Sequence, residues 1–133
     1  IPQGSKIIVT QPSDLPDKEL PVFDTGWLVN KYSHKKDFLY ELLILFKDEL
    51  PKKINALNTA IIDNDINLLI KTAHSLKGST ATLGALGLND CARHLVESGR
   101  ENDQEKIKIY LGKAETEVGR VLEVLSQGGP LLD

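Results

Sequence analysis

The feature that most constrains the fold of this 133-residue chain is an apolar pattern with a helical period, repeated in four segments between residues 36 and 126. Within each segment apolar residues return after three or four positions, which places them on one face of an α-helix. No stretch alternates apolar and polar residues for long enough to indicate a β-strand. Four amphipathic helices with short links predict an all-α fold, an antiparallel up-down four-helix bundle.

The first long helix is predicted to begin near Lys36. Pro51 lies inside this segment, so we expect a bend or a break at residues 48–50. The residues predicted to face the core from this helix are Phe38, Leu42, Leu45, Phe46, Ile54, Leu57 and Ile61.

The other three long helices have recognisable ends. Asp65 is a candidate N-cap for the second, and Gly99 is a candidate C-terminal stop for the third. Gly128 follows the fourth helix and is expected to end it. The predicted ranges of these helices are about 66–83, 86–98 and 103–126.

The N-terminal part of the chain has a different composition. Residues 1–22 contain four of the six prolines, which predicts an extended arm or linker. A short extra helix should follow, capped by Asp24, with Trp27, Leu28 and Tyr32 facing inward. We therefore divide the chain into an arm at 1–22, a bundle at 23–127 and a tail at 128–133.

Composition excludes several classes of function. A net charge of −3 and an aromatic content of 5% argue against a nucleic-acid binder, which would need a basic face and stacking residues. The longest apolar run, residues 42–46, is too short to span a bilayer. The single cysteine, Cys91, cannot form an internal disulfide and fits a reducing compartment.

The second long helix contains the residues with the clearest chemical potential. At about 100° per residue, His74 lies roughly 100° from the centre of the apolar face, so its ring should point outward. Asn67 and Lys71 precede it on the same side of the helix. Lys77 and Gly78 follow it at the third and fourth positions. The imidazole is therefore predicted to have a cation beside it and no side chain on the following turn.

These residue types suit phosphoryl transfer. A neutral imidazole nitrogen is a nucleophile at physiological pH, because the usual pKa of histidine is near 6.5. If His74 accepted a phosphoryl group, Lys77 could stabilise the added negative charge. Gly78 costs about 1 kcal/mol relative to alanine in a helix interior, so its presence suggests that another protein must approach closely there.

The segment AHSLKGS at residues 73–79, followed by LGA at 83–85, resembles the signature of histidine-containing phosphotransfer (HPt) domains. These are the four-helix relay modules of multistep bacterial phosphorelays. The resemblance covers most of the chain, from about residue 23 to residue 125. It implies that His74 is the phosphoacceptor, that Lys77 stabilises the phosphoryl group and that Gly78 leaves room for a receiver domain.

The resemblance also implies partners. These are receiver domains, one in a hybrid sensor kinase and one in a response regulator, and neither nucleic acid nor membrane is expected to bind. Lys71, Asn67, Ser75 and Ala81 are candidate partner-binding residues. We expect no cofactor or metal in this chain, and Mg²⁺ is expected in the receiver instead. A glycine-rich phosphate-binding loop is absent from the sequence, so we expect no ATP binding and no kinase activity.

The sequence contains no methionine and starts at Ile1 in a proline-rich stretch, which we interpret as a piece of a longer protein. By the habit of the family we expect the C-terminal domain of a hybrid sensor histidine kinase. The domain itself is then expected to be cytoplasmic and monomeric. It would be tethered to the inner membrane only through the parent chain.

Two other classes of function are compatible with the residues. One is a helical interaction module in which His74 has no chemical role. The other is a dimerisation and phosphoacceptor domain of a histidine kinase, which needs two helices from each protomer. Cys91 and His94 have a spacing that can present two metal ligands, but no second pair accompanies them, so we interpret both as structural. His34 has no chemical signal around it.

Overall fold

The structure is a computed structural model, and it describes residues 20–129. Within this range the chain forms helices and no strand, which confirms the predicted all-α class. The predicted arm and tail are described only in part, so the division of the chain into arm, bundle and tail stays a prediction. The helices are α1 (Thr25–Lys31), α2 (Lys36–Ile62), α3 (Ile66–Thr82), α4 (Leu86–Glu101) and α5 (Gln104–Ser126).

The four long helices form the expected bundle. Their connections are short, at residues 63–65, 83–85 and 102–103, so successive helices are antiparallel neighbours. α2 packs against α3, α3 against α4, α4 against α5, and α5 back against α2, which closes the ring. None of the helices within residues 20–129 has the length and apolar character needed to cross a bilayer.

Three helices begin at an aspartate whose carboxylate accepts a hydrogen bond from the first turn. Asp24 accepts from the backbone N of Trp27 at 3.1 Å. Asp65 accepts from Leu68 N at 3.0 Å, and Asp103 accepts from the third residue after it at 3.1 Å. Each bond satisfies a backbone donor that lacks a helical partner, and typically stabilises a protein by about 1 kcal/mol. The N-caps predicted at Asp24 and Asp65 are confirmed.

α2 differs from the prediction in two respects. It is a single helix of 27 residues that continues through Pro51, so of the two expected outcomes the break is wrong and the bend stays a prediction. Pro51 is on the exposed side, while Leu50 and Leu57 are 1% and 0% exposed and hold the helix against the core on either side of it. Burial on both sides therefore outweighs the loss of one backbone hydrogen bond at the proline.

The buried face of α2 also differs from the one predicted. Phe38 and Leu45 are 52% and 61% exposed, whereas Leu39 and Leu43 are buried at 0% and 4%. The helix presents apolar residues around more than half of its circumference. Sequence spacing alone therefore could not fix which of them meet the neighbouring helices.

The end of α4 lies beyond the predicted stop at Gly99. The helix runs to Glu101 and is capped by Asn102, which adopts the left-handed conformation with φ 53°. Gly99 is buried inside the helix, and a Cβ there would lie 2.7 Å from Cγ1 of Ile70 on α3. Gly99 is therefore a contact glycine that lets α3 and α4 approach closely.

α1 fixes the C-terminal end of α3. Asp24 N donates to the carbonyl of Gly84 at 2.8 Å, and the Tyr32 hydroxyl donates to the carbonyl of Thr82 at 3.1 Å. Leu28 is fully buried and Tyr32 is 5% exposed, as predicted, whereas Trp27 is only partly buried, with 38% of the residue exposed and its ring against Gly84. The α3 helix is thus held at its end by a separate element of the chain.

Candidate functional site

The rotation of α3 is fixed by the residues that it buries. Ala73 and Thr80 are 0% exposed and Leu76 is 1% exposed. His74 and Gly78 lie on the opposite, exposed side of the helix. The outward position predicted for His74 from the helical period therefore agrees with the packing of the bundle.

The imidazole of His74 is exposed on the surface of α3. Across residues 20–129 its ring takes part in no hydrogen bond, ion pair or ring contact. Its two nitrogens are accordingly open to whatever approaches from solvent. A ring in this situation can act as a nucleophile without first breaking an interaction within the bundle.

Lys77 lies one turn after His74 and is half-buried. Its backbone carbonyl accepts a hydrogen bond from Asn89 Nδ2 at 3.0 Å, and the same amide donates to Thr80 Oγ1 at 3.0 Å. These bonds fix this turn of α3 to the first turn of α4. In the part of the chain that the structure describes, the Lys77 ammonium pairs with no carboxylate, so it is available to an incoming anion. The sequence contained no signal for the role of Asn89.

Gly78 has open space in front of it. A Cβ built there meets no atom within 4 Å, and its φ is not in the left-handed region. Neither packing within the bundle nor backbone conformation therefore requires glycine. Gly112 and Gly119 on α5 have the same openness, so an open glycine alone does not mark a site. The distinguishing property of Gly78 is its place one turn from His74.

The candidate partner-binding residues lie around this face. Asn67, Lys71, Ser75 and Ala81 are all exposed on α3. Ser75 also accepts a hydrogen bond at 2.7 Å from the ammonium of Lys53 on α2, which lies 3.9 Å from Glu49. Lys53 was not identified from sequence, because only the packing of α2 on α3 places it beside residue 75.

Ser79, which also lies close to His74 in the sequence, forms a hydrogen bond within α3. Its hydroxyl donates to the carbonyl of Ser75 at 3.2 Å, one turn earlier in the helix. Such a bond within the helix satisfies the hydroxyl locally. It gives no indication of a nucleophile.

The second histidine of the helical core, His94, has a different environment. Its ring stacks on that of Tyr110, with the ring centroids 4.4 Å apart. Its Nε2 lies 3.6 Å from Oδ1 of Asp90, and its Nδ1 lies 3.8 Å from Oε1 of Glu97. Cys91, one turn earlier, is 5% exposed. Burial raises the pKa of the Cys91 thiol to about 12, and the negative charges of Glu117 and Asp90 act in the same direction.

These properties make Cys91 a poor thiolate nucleophile and a poor metal ligand. Across residues 20–129 there is no group of three or more His, Cys, Asp or Glu side chains that could hold a metal ion. The His94 ring is stacked on an aromatic ring and lies beside two carboxylates, and the Cys91 thiol is buried. Both residues therefore have contacts that fit a role in packing.

Comparison with known proteins links this geometry to a family. A family model described as Hpt domain matches residues 41–127. Histidine-containing phosphotransfer protein B (HptB) from Pseudomonas aeruginosa PAO1 is 26% identical and superimposes with a TM-score of 0.76, over 82% of this chain and 95% of that one. No curated protein matches the chain.

A second solved structure supports the fold alone. The HPT domain from a sensor hybrid histidine kinase of Shewanella is 21% identical, with a TM-score of 0.64 over 80% of this chain and 95% of that one. The same bundle therefore occurs in both proteins with little sequence in common.

Proposed function

The chain belongs to the Hpt domain family of phosphotransfer carriers in two-component phosphorelays, and on that premise we propose that His74 accepts the phosphoryl group. The observation that supports this assignment most strongly is the exposed ring of His74, which within residues 20–129 makes no hydrogen bond, ion pair or ring contact, on a helix whose opposite face is buried. Such a scaffold holds the nucleophile in place and leaves it accessible to a large partner.

The proposed reaction exchanges one phosphoryl bond for another. An imidazole nitrogen of His74 attacks the phosphorus of a receiver acyl phosphate with its lone pair. The P–N bond forms as the P–O bond to the receiver aspartate breaks, and that electron pair leaves on the aspartate carboxylate. Attack by an aspartate of a second receiver reverses these bond changes and regenerates the imidazole. Mg²⁺ bound by the receiver would neutralise charge on the transferred group.

Two neighbours of His74 have supporting roles in this proposal. The Lys77 ammonium lies one turn away and provides positive charge for the phosphoryl oxygens. Gly78 leaves the surface free for the receiver, since any side chain there would project into the space that the structure shows to be open. Lys71, Asn67, Ser75 and Ala81 surround this surface and are proposed to contact the receiver.

The carrier is proposed to act as a monomer and without ATP hydrolysis of its own. Its four long helices form a complete bundle within one chain, whereas a kinase dimerisation domain would need helices from a second protomer. Membership of the Hpt domain family favours a role in phosphoryl transfer over that of a helical interaction module in which His74 has no chemical role. An origin in a hybrid sensor kinase stays a prediction.

Transfer from a radiolabelled receiver tests the proposal. A receiver domain phosphorylated on its aspartate is mixed with the protein and Mg²⁺, without ATP. We expect label to appear on the protein in an acid-labile, base-stable form, and to leave again when a second, unphosphorylated receiver is added. If a panel of demonstrably phosphorylated receivers from the source organism leaves the protein unlabelled, the proposal is wrong.

A further inference from the structure

A cavity lies at the C-terminal end of the face that contains His74. Its volume is about 280 Å³, and it is formed between α1, the end of α3 and the start of α4. Its exposed lining is mostly apolar, from Trp27, Ala81, Gly84 and Leu86, and its polar part comes from Asp24, Thr80 and Asn89. The cavity is therefore a recess that apolar groups can fill, within the same bundle surface as the site proposed above.

The cavity is continuous with the His74 face. Ala81 is seven residues after His74, so the two residues lie on the same side of α3 with Gly78 between them. At 1.5 Å per residue their separation along the helix axis is about 10 Å. A protein that covers His74 and Gly78 would reach the cavity without any change in the bundle, since a typical protein interface spans 20–30 residues a side.

Trp27 forms a rigid wall of this cavity. A Cβ at Gly84 would lie 3.0 Å from Cε3 of the indole and 3.2 Å from Cζ3, so the ring packs directly on the glycine backbone. Gly84 has φ +61°, the left-handed region that favours glycine, and the Lys31 ammonium lies 4.7 Å from the indole centroid. The ring is thus held in one place while 38% of the residue stays exposed.

We infer that this cavity binds an apolar side chain of the receiver domain that docks on His74, an inference that rests on the proposed function. The receiver is the occupant because the cavity and His74 share one continuous surface. A preformed pocket with a half-exposed tryptophan is typical of the few residues that dominate binding energy at protein interfaces. Trp27 loses little conformational freedom on binding because its ring is already fixed.

The single tryptophan of the chain provides a direct probe of the cavity. The protein is labelled with 5-fluorotryptophan and titrated with a receiver that accepts phosphate from it. We expect the one ¹⁹F resonance to shift and saturate with the same dissociation constant that calorimetry gives for the complex. A resonance that stays unchanged while calorimetry shows full binding would overturn the inference.

A substitution that fills the cavity gives the kinetic test. Ala81→Gln places a neutral, flexible side chain at the cavity mouth, and Thr116→Gln introduces the same group at an exposed position of α5 as a control. We expect Ala81→Gln to raise the KM for the phosphorylated receiver about tenfold with little change in kcat, because the cavity affects docking and not the chemical step. The control should keep the wild-type KM.

The outcomes separate this inference from the function on which it rests. If Ala81→Gln is folded by circular dichroism and transfers with the wild-type KM, the receiver does not use the cavity, and His74 remains the proposed phosphoacceptor. If the wild-type protein accepts no phosphate from any receiver, the proposed function itself fails.

Discussion

His74 and His94 are both imidazoles on long helices of the same bundle, yet their surroundings differ completely. His94 lies at the packed edge between α4 and α5, stacked on Tyr110 and within 4 Å of the carboxylates of Asp90 and Glu97. His74 lies on the uncovered side of α3, where within residues 20–129 its ring has no such partner. Residue type is the same in the two places, so the surrounding side chains decide whether the ring is available for chemistry. Around His94 these come from its own helix and from α5.

The contrast extends to the residues around each ring. Near His94, Cys91 is buried, and burial together with the charges of Glu117 and Asp90 disfavours its thiolate, so this thiol is a poor nucleophile. Near His74, Gly78 opens the surface and Lys77 offers a positive charge. Of these two regions, the α3 side is therefore the one that presents an exposed imidazole with a cation one turn away. Each of the following experiments compares the two sides.

The largest expected effect is the loss of phosphorylation in His74→Gln. A glutamine amide is not nucleophilic enough to accept the phosphoryl group, so labelling should vanish. The melting temperature should stay close to that of the wild type, because an exposed side chain contributes little to stability. The matched control is His94→Gln, which should be labelled as fast as wild type. The measurement is receiver-dependent incorporation of ³²P. Labelling that survives in His74→Gln would contradict the assignment.

The next largest effect is expected for a bulky side chain at Gly78. Gly78→Leu should reduce kcat/KM for transfer at least about tenfold, or about 1.4 kcal/mol, because the new side chain occupies the surface that the receiver must cover. Gly112→Leu on α5 is the control, since that glycine is equally open.

Thermal unfolding completes the comparison of the two glycines. Both variants should be more stable than wild type by about 0.5–1 kcal/mol, since leucine is the better helix former. Equal transfer rates in Gly78→Leu and Gly112→Leu would show that no partner approaches Gly78.

A kinetic effect of comparable size is expected for Lys77→Ala. A hydrogen bond to a charged group is worth about 1.5–3 kcal/mol, so transfer should slow about tenfold or more. Lys108→Ala, on the exposed surface of α5, should transfer normally. The melting temperature distinguishes a direct role of Lys77 from an indirect one. A large drop would mean that its aliphatic part covers the core and that the kinetic loss follows from destabilisation.

The smallest effect concerns stability on the His94 side. The pKa of Cys91 is raised from 9.0 to about 12 in the folded protein, so the thiol stays protonated there while an unfolded chain would lose the proton. The stabilisation is present below about pH 9 and is lost as the pH rises toward 12, at up to about 1.4 kcal/mol per pH unit.

Urea unfolding at pH 8, 9 and 10 measures this loss. Lysines and tyrosines also titrate in this range, so the quantity of interest is the difference between wild type and Cys91→Ala. Wild type should lose stability more steeply than the variant. Parallel curves would mean that the thiol is more exposed to solvent than its 5% accessibility indicates.

The features of the structure that follow from the sequence are those set by local periodicity. The face of α3 that contains His74 follows from one helical period, and the N-caps at Asp24 and Asp65 follow from residue type beside an apolar pattern. The roles assigned to His74, Lys77 and Gly78 came from the motif and stay predictions until tested.

The predictions that are wrong concern residues whose burial or role depends on contacts with neighbouring helices. Phe38 and Leu45 fit the helical period of α2 but face solvent, because the other helices contact a different side. Gly99 looked like a helix end, and its function is close contact with Ile70 on another helix. Lys53 reaches Ser75 across 22 residues of sequence, which no local pattern reveals.

The most direct test of the central claim is to locate the phosphoryl group on the wild-type protein. The protein is phosphorylated by a receiver, and its ¹⁵N-labelled imidazoles are observed by NMR at alkaline pH, where phosphohistidine is stable. The account predicts P–N coupling at the ring of His74 alone, with the signals of His34 and His94 unchanged. Coupling at His94 or His34, or a phosphorylated protein in which His74 is unmodified, would contradict it.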